Sequence, residues 1–398
     1  MESNFFAKRA VEISSILSSH RRYIHRCAEI GFDNEKTFHY VKKQLENMGI
    51  KAKKCGRGGL SAELGDTGSS NVFLLRADMD ALPLRENSGE DFASSNGNMH
   101  ACGHDLHTSM LLGAAQMLKE KEDELPGRVR LMFQPAEETL EGALDMINSG
   151  ILSNPTPKGA LMLHVATGVP FPSGKFIIPD EGIGAPSSDH FSLEVLGKSC
   201  HGATPSLGID ATRAAASILT DLFRIAEGED FEKTVFTVGQ FSSGTAANII
   251  SDRALIRGTF RALDEAIRNQ ALAKFAEISQ STASSFGATA RFSVERSCPS
   301  FLNSKNILKL AKECALKLFG QDSVILQSEL SGSTFGGSED FSYVSQKVPS
   351  AVISLTAGDS ARGFEYPLHH QKARFDESVL PNGAAFLAFC AASFPQDF

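Results

Sequence analysis

The sequence predicts an α/β protein, a mostly parallel central sheet covered by helices, with an inserted ferredoxin-like α+β domain. Three observations carry that expectation. Short apolar, strand-like runs alternate with helix-like stretches through the first half of the chain. Those runs are apolar throughout, as strands buried on both faces are. Between about Ser187 and Val294 the order changes to strand, helix, strand, strand, helix, strand, the split βαβ arrangement.

Taken in chain order, helices are expected from about Phe5 to His25 and from about Glu35 to Met48. Strands follow at Val72–Leu75, Val129–Phe133 and Ala160–Val165. The helix-like run Thr108–Leu118 lies between the first two of these and follows a glycine-containing turn at Cys102–Asp105. In the inserted segment, strands are expected at Phe191–Leu196, Val235–Phe241, Ala254–Phe260 and Ala288–Val294, with helices at Gly208–Ile225 and Leu263–Phe286. Loop-like junctions sit at Gly182–Ser188 and around Ser297–Asn303. Late in the chain, Ala351–Leu355 supplies a further buried strand, with Pro349 just before its start, where a missing N–H does least harm. Glu377–Phe394 supplies a closing helix. The expected organisation is a catalytic domain in two pieces, 1–186 and 297–398, around an inserted lid or dimerisation domain at 187–296.

Composition narrows the function. A chain of 398 residues is long enough for two domains, and 42% apolar content supports a proper core. A net charge of -8, with acidic and basic residues mixed, argues against a nucleic-acid partner, whose phosphates call for clustered Lys and Arg. Met1–Ser15 shows no uninterrupted signal-peptide core, and Gly383–Phe394 is too short to cross a bilayer. A cytoplasmic protein with no membrane partner is expected. Seven cysteines, odd in number and without paired spacing, do not form a disulfide framework.

The chemistry gathers at strand ends. Leu74–Leu75 leads into Arg76-Ala77-Asp78-Met79-Asp80, and Val129–Phe133 into Gln134-Pro135-Ala136-Glu137-Glu138. Ala160–Leu163 ends at His164, and Ala351–Leu355 precedes a loop reaching His369-His370. Strand ends of a parallel sheet converge on one edge, where open α/β proteins build their sites. The segment Met99-His100-Ala101-Cys102-Gly103-His104-Asp105 adds a thiol and an imidazole two residues apart on a turn. With Glu137 or Glu138, His164 and His369, the donors mix S, N and O, a set suited to transition metals and not to calcium or magnesium. Five donors exceed what one open catalytic ion needs. Two ions bridged by Cys102, about 3.5–4 Å apart, would use them all. If strand geometry continued to Glu137 and Glu138, one carboxylate could ligate while the other faced a metal-activated water and moved its proton to a leaving amine.

Singly, each residue has a plainer reading: His164 as a core histidine, Cys102 as structural, the two glutamates as surface. Their clustering at strand ends favours the metal site. Asp78 and Asp80 read as carboxylates orienting imidazoles, and His100, His107 and His370 as supporting residues. Ser338-Glu339-Asp340 reads equally as a helix cap with acidic first-turn residues or as a site segment. Phosphate-binding glycine loops of either common spacing are missing from the sequence, and Gly332-Ser333-Thr334-Phe335-Gly336 misplaces its serine for a nucleophile elbow.

Across nearly its whole length the chain resembles the metal-dependent aminoacylase/carboxypeptidase family, zinc-peptidase-like amidohydrolases, and within it the branch of hippurate hydrolase and the indoleacetyl-amino-acid hydrolases. The resemblance rests on Arg21-Arg22-Tyr23-Ile24-His25 with Glu29-Ile30-Gly31-Phe32, on Arg76 to Pro83, and on Met99 to Asp105. It continues through Phe133 to Glu138, Ser338 to Phe341 and Leu368-His369. It implies Cys102, His104, Glu138, His164 and His369 as metal ligands and Glu137 as general base. It further implies that His201, in Gly197-Lys198-Ser199-Cys200-His201-Gly202, polarises the scissile carbonyl and that Asn248 lies near the substrate. Ala28 and Gln371 stand where the family usually has proline, and Ser199-Cys200 where it has small glycine-type residues.

The expected cofactors are two divalent transition-metal ions, manganese, zinc, nickel or cobalt. The expected reaction is hydrolysis of a small-molecule N-acyl amino acid, N-acetyl, N-benzoyl or similar, with a homodimer through the lid domain implied by the resemblance. The rival readings are a dipeptidase or carboxypeptidase acting on short peptides and a non-catalytic ligand-binding protein of the same fold.

Overall fold

The structure, a computed structural model, describes residues 2–330 and 337–395. Ser333 and the glycine-flanked segment around it therefore lie outside the described residues. The chain divides into two compact units, one holding the described residues up to Gly184 and again from Leu302 except 337–339, the other Ala185–Phe301 together with 337–339.

In the first unit the expected opening helix is two helices, α1 (Ser3–Glu12) and α2 (Ser14–Cys27). They part at Ile13, where the backbone leaves helical geometry (φ -93, ψ 8) while the side chain stays buried in the core. Helix α2 stops at Ala28, whose φ of 22° is out of reach of a proline ring, so the residue that resemblance led one to expect there would force another chain path. Helix α3 (Glu35–Asn47) receives no cap from Asn34. The Glu29 carboxylate accepts the Lys36 and Thr37 N–H groups instead, at 3.1 and 2.9 Å.

The sheet starts with a hairpin the sequence reading missed, β1 (Ala52–Cys55) antiparallel to β2 (Gly59–Gly65). Its first strand is four residues long with Lys53 and Lys54 exposed, which suits an edge. Strands β3 (Val72–Asp78), β4 (Arg128–Gln134) and β5 (Gly159–Ala166) are almost wholly buried. The order runs β1-β2-β4-β3-β5 and then the strand Ser350–Thr356. β3 pairs parallel with both β4 and β5, and β5 with Ser350–Thr356. Parallel pairing puts the C-terminal ends of these four strands at the same edge. Helix α4 (His104–Glu120) follows β3 and packs against α2 and the closing helix Leu380–Ala392. Helix α4 and the closing helix approach closely at Gly383, where a methyl group would collide with the Met110 thioether of α4.

The second unit has its own core, centred on Phe191, Leu193, Ile218, Ile256, Phe260 and Phe275. Its strands Ser188–Leu196, Thr234–Ser243, Arg253–Ala262 and Thr289–Cys298 pair antiparallel throughout, in spatial order second, third, first, fourth. Helices Ala211–Ala226 and Glu265–Ser285 start on Asp210 and Asp264, each accepting backbone N–H groups of the first turn. This is the ferredoxin-like βαββαβ topology. Among the described residues no helix is long and apolar enough to cross a membrane.

Buried Asp189 holds Arg268 through two bonds of 2.7 and 2.8 Å, tying the first strand to the second helix. Removing one member of a buried ion pair costs about 3–5 kcal/mol, whereas an exposed pair is worth at most about 1 kcal/mol. Asp189→Ala is therefore expected to lower stability in chemical denaturation by several times more than Glu194→Ala, which removes the half-buried partner of exposed Arg253. Equal losses would contradict this reading.

Candidate metal centre

The five residues expected from resemblance to be ligands come together at the sheet edge. Cys102 lies in the turn before α4, and Gly103, at φ 86, makes that turn possible. A side chain on Gly103 would also strike Val165. His104 is the first residue of α4 and His164 lies within β5, which continues two residues past it. Glu137 and Glu138 follow β4, and His369 sits on a loop after the strand Ser350–Thr356. The His369 N–H donates to the Ala101 carbonyl at 2.9 Å, so that loop is fastened to the turn carrying Cys102.

Two of the groups of potential donor atoms share Cys102. Cys102, His104 and His164 make the first, and Cys102, Glu138 and His369 the second, with all donor atoms of each group within 4.8 Å of one another. The Cys102 Sγ lies 3.5 Å from His164 Nε2, and His369 Nε2 lies 3.3 Å from Glu138 Oε1. Glu137 joins a group with His104 and Glu138 that leaves Cys102 out.

Hydrogen bonds aim the imidazoles. His104 Nδ1–H donates to the Asp80 carbonyl at 2.8 Å, and His164 Nδ1–H to the Val165 carbonyl at 2.7 Å. A carbonyl only accepts, so both rings carry a proton on Nδ1 and present Nε2 to the site, His164 toward Cys102 and His104 toward the glutamates. His104 Nε2 and Glu138 Oε1 are buried without a hydrogen bond, as ligand atoms for a cation would be. Burial pushes the Cys102 thiol up to about 12 and, with His107 adding to it, drives His164 down to about 3. A neutral imidazole is already a ligand. A thiolate in this place calls for positive charge beside it. The residues thus fit a pair of divalent transition metals.

One sequence expectation needs correction. The two glutamates do not continue strand alternation. β4 ends at Gln134, and Ala136 turns the chain at φ 56, so Glu137 and Glu138 bring their carboxylates to 3.9 and 4.0 Å from the same His104 Nε2. Asp80 sets this turn, accepting the Glu137 N–H at 3.0 Å and the Glu138 N–H at 3.1 Å.

The supporting residues are more numerous than the sequence disclosed. Asp78 accepts from His107 Nδ1 at 2.6 Å, and His107 Nε2 accepts the Val165 N–H at 2.8 Å, next to His164. Burial opposes charge on Asp78, yet His104, His107 and Arg76 together hold its carboxyl well below the usual range. Arg76 joins Asp78, Gln134 and Asp340, and Asp340 also accepts the Ala143 N–H. Asp340 thus braces β3, β4 and the helix Gly142–Asn148, and it brings a carboxylate oxygen within 4.8 Å of one on Glu137, which favours the site-segment reading of this stretch. A charged residue inside the apolar run Val72–Leu75-Arg76 was the available signal for this network. His201 and Asn248 belong to the second unit, where they share a two-stranded ribbon. His201 pairs with Ile249, the Gly202 N–H donates to the Asn248 carbonyl at 2.8 Å, and both side chains are exposed.

Residues 74–393 match the model of peptidase family M20/M25/M40. The chain belongs to this family. Among M20 relatives, an N-acetyl-L-cysteine deacetylase of Bacillus subtilis is 31% identical over 381 residues, covering 92% of this chain and 85% of the relative. An IAA-amino acid hydrolase of Arabidopsis thaliana is 33% identical over 403 residues, covering 98% and 88%. The crystal structure of a dinuclear metal-binding M20 peptidase from Bacillus subtilis matches with a TM-score of 0.77 at 27% identity, covering 96% of this chain and 98% of that one.

Asp80→Ala should release the backbone of both glutamates and weaken metal binding about 10–100-fold, the usual cost of losing a residue that orients ligands. Competition with a chelating dye measures this. Unchanged affinity would remove Asp80 from the account.

Proposed function

We propose that this chain hydrolyses the amide bond of small N-acyl amino acids, N-acetyl, N-benzoyl or similar conjugates, to a carboxylate and a free amino acid. One observation carries the reading. Two donor groups meet at Cys102, and Glu137 stands beside them outside both. Cys102, His104 and His164 would hold one ion, and Cys102, Glu138 and His369 the other. Thiolate, imidazole and carboxylate donors accommodate manganese, zinc, nickel or cobalt. Two such ions, when bound, acidify a water for attack at neutral pH and polarise the substrate carbonyl.

The chain's own residues supply the rest. Glu137 takes the proton of the attacking water on its carboxylate and delivers it to the departing amide nitrogen, so that the amine leaves neutral. Asp80 holds Glu137 in place by accepting its backbone N–H. His201 would add a hydrogen bond to the scissile carbonyl oxygen as charge develops there, and Asn248 would contact the substrate. In this reading the inserted segment 187–296 serves as lid and dimerisation surface on a catalytic body made of 1–186 and 297–398, in a cytoplasmic homodimer. The names of two relatives support the substrate class, one acting on an N-acetyl amino acid and one on IAA–amino acid conjugates.

Glu137→Gln should keep full metal content and lose about 10²–10⁴-fold in turnover, the range general-base catalysis contributes. The assay is release of free amino acid from a panel of N-acetyl and N-benzoyl amino acids, run beside dipeptides. Normal turnover by this variant would remove the mechanism, and faster cleavage of dipeptides would transfer the reading to a peptidase.

A further inference from the structure

His25 takes no part in the chemistry above, yet its surroundings are among the most constrained in the first unit. Its ring is buried near the end of α2 and meets a carboxylate at each nitrogen. Nδ1 lies 2.8 Å from Asp105 Oδ2, and Nε2 lies 3.0 and 3.1 Å from the two oxygens of Glu86. All three side chains are withdrawn from solvent. Burial works against charge on the ring, but Asp105 first and then Glu86 outweigh it and lift His25 to about 9. The ring therefore carries both protons and donates in both directions at neutral pH.

Each partner leads somewhere specific. Asp105 is the second residue of α4, directly after His104 and three after Cys102. The same Asp105 oxygen accepts from Arg21 Nε at 3.0 Å. Glu86 accepts from Ser88 Oγ and from the Ser94 N–H at 2.7 Å, so it gathers the loop that leads from β3 toward the Cys102 turn. The Phe92 ring stands edge-on to His25, 5.3 Å between centroids, and Arg21 lies over the Phe92 face at 4.9 Å.

We propose that His25 is a positioning residue of the metal centre: clamped between Asp105 and Glu86, it fixes the first turn of α4 and thereby the placement of Cys102 and His104. The proposal rests on the two-metal reading given above. Two charge-assisted bonds on one rigid ring couple the start of α4 to the 86–94 loop. Arg21 also holds Asp105, but its other bonds go to the Phe375 carbonyl and to Glu377, so it is His25 that joins Asp105 to Glu86. Without the imidazole, Glu86 is left buried with its charge uncompensated on that side, and Asp105 loses one of its two donors. The strain falls on the turn between them, the one that carries a donor to each ion.

Cobalt(II) is the probe, because a thiolate bound to it gives a charge-transfer absorption that reports Cys102 directly. In His25→Ala the dissociation constant for cobalt should rise about 10–100-fold, and the thiolate band should weaken or shift. His25→Gln, keeping one donor, should recover part of both. Glu86→Gln, which preserves volume and removes charge, should move both readouts the same way by a smaller amount. Leu387→Ala in the closing helix, a core truncation far from the clamp in sequence, serves as the control for simple loss of stability and should leave band and affinity as in the wild type. Wild-type affinity and an unaltered band in His25→Ala would overturn the positioning role while leaving the metal centre standing. A wild-type protein without any thiolate–cobalt band would overturn the metal centre and this proposal with it.

Discussion

A cysteine sulfur buried among imidazoles and carboxylates is the constraint on which the first unit is organised. Left to itself, burial keeps the Cys102 thiol protonated, and the carboxylate of Glu138 nearby opposes ionisation further. Such a thiol becomes a thiolate only if positive charge is brought to it. Around it lie the atoms that would hold metal ions to bring that charge: two Nε2 atoms turned inward by carbonyl acceptors at Nδ1, a carboxylate oxygen buried without a hydrogen bond, and a third imidazole on a loop.

Holding those atoms in register is the task of the sheet beneath. Parallel strands bring β3, β4, β5 and Ser350–Thr356 to one edge, but strand ends alone do not set side-chain geometry to the accuracy a metal requires. The buried network of Arg76, Asp78, Gln134 and Asp340 stiffens that edge, and His107 carries the order to the backbone beside His164. Asp80 does the same for the two glutamates. Several of these side chains also bond backbone groups, so the site is anchored to the chain path itself. A buried guanidinium is costly unless paired, and the pairing here falls on the very strands whose ends carry the donors.

Much of this was readable from residues alone. The strand-end positions of Asp78, Glu137 and His164 followed from apolar runs with charged or polar residues just behind them, and the βαββαβ order of the second unit from its alternation of periods. What escaped has physical causes. The break at Ile13 leaves the apolar spacing unchanged, because Ile13 stays in the core on both sides of it. The edge hairpin Ala52–Gly65 is half-buried and rich in lysine and glycine, which weakens any strand signal. The turn at Ala136 depends on a positive φ in a residue that does not advertise one, so the glutamates were expected to alternate when they converge on His104 instead. Long-range pairs such as Arg76 with Asp340 and His25 with Asp105 are separated by hundreds or tens of residues, and no local pattern encodes them.

The central claim is that one sulfur serves two ions. Elemental analysis of the purified chain, saturated with manganese, zinc or cobalt and freed of loosely held metal, tests it most directly when wild type and Cys102→Ala are compared. The account predicts two ions per chain in the wild type and a loss of tightly held metal in the variant, since each donor group drops to two residues. A single ion in the wild type, or two ions still held as tightly by the variant, would contradict it.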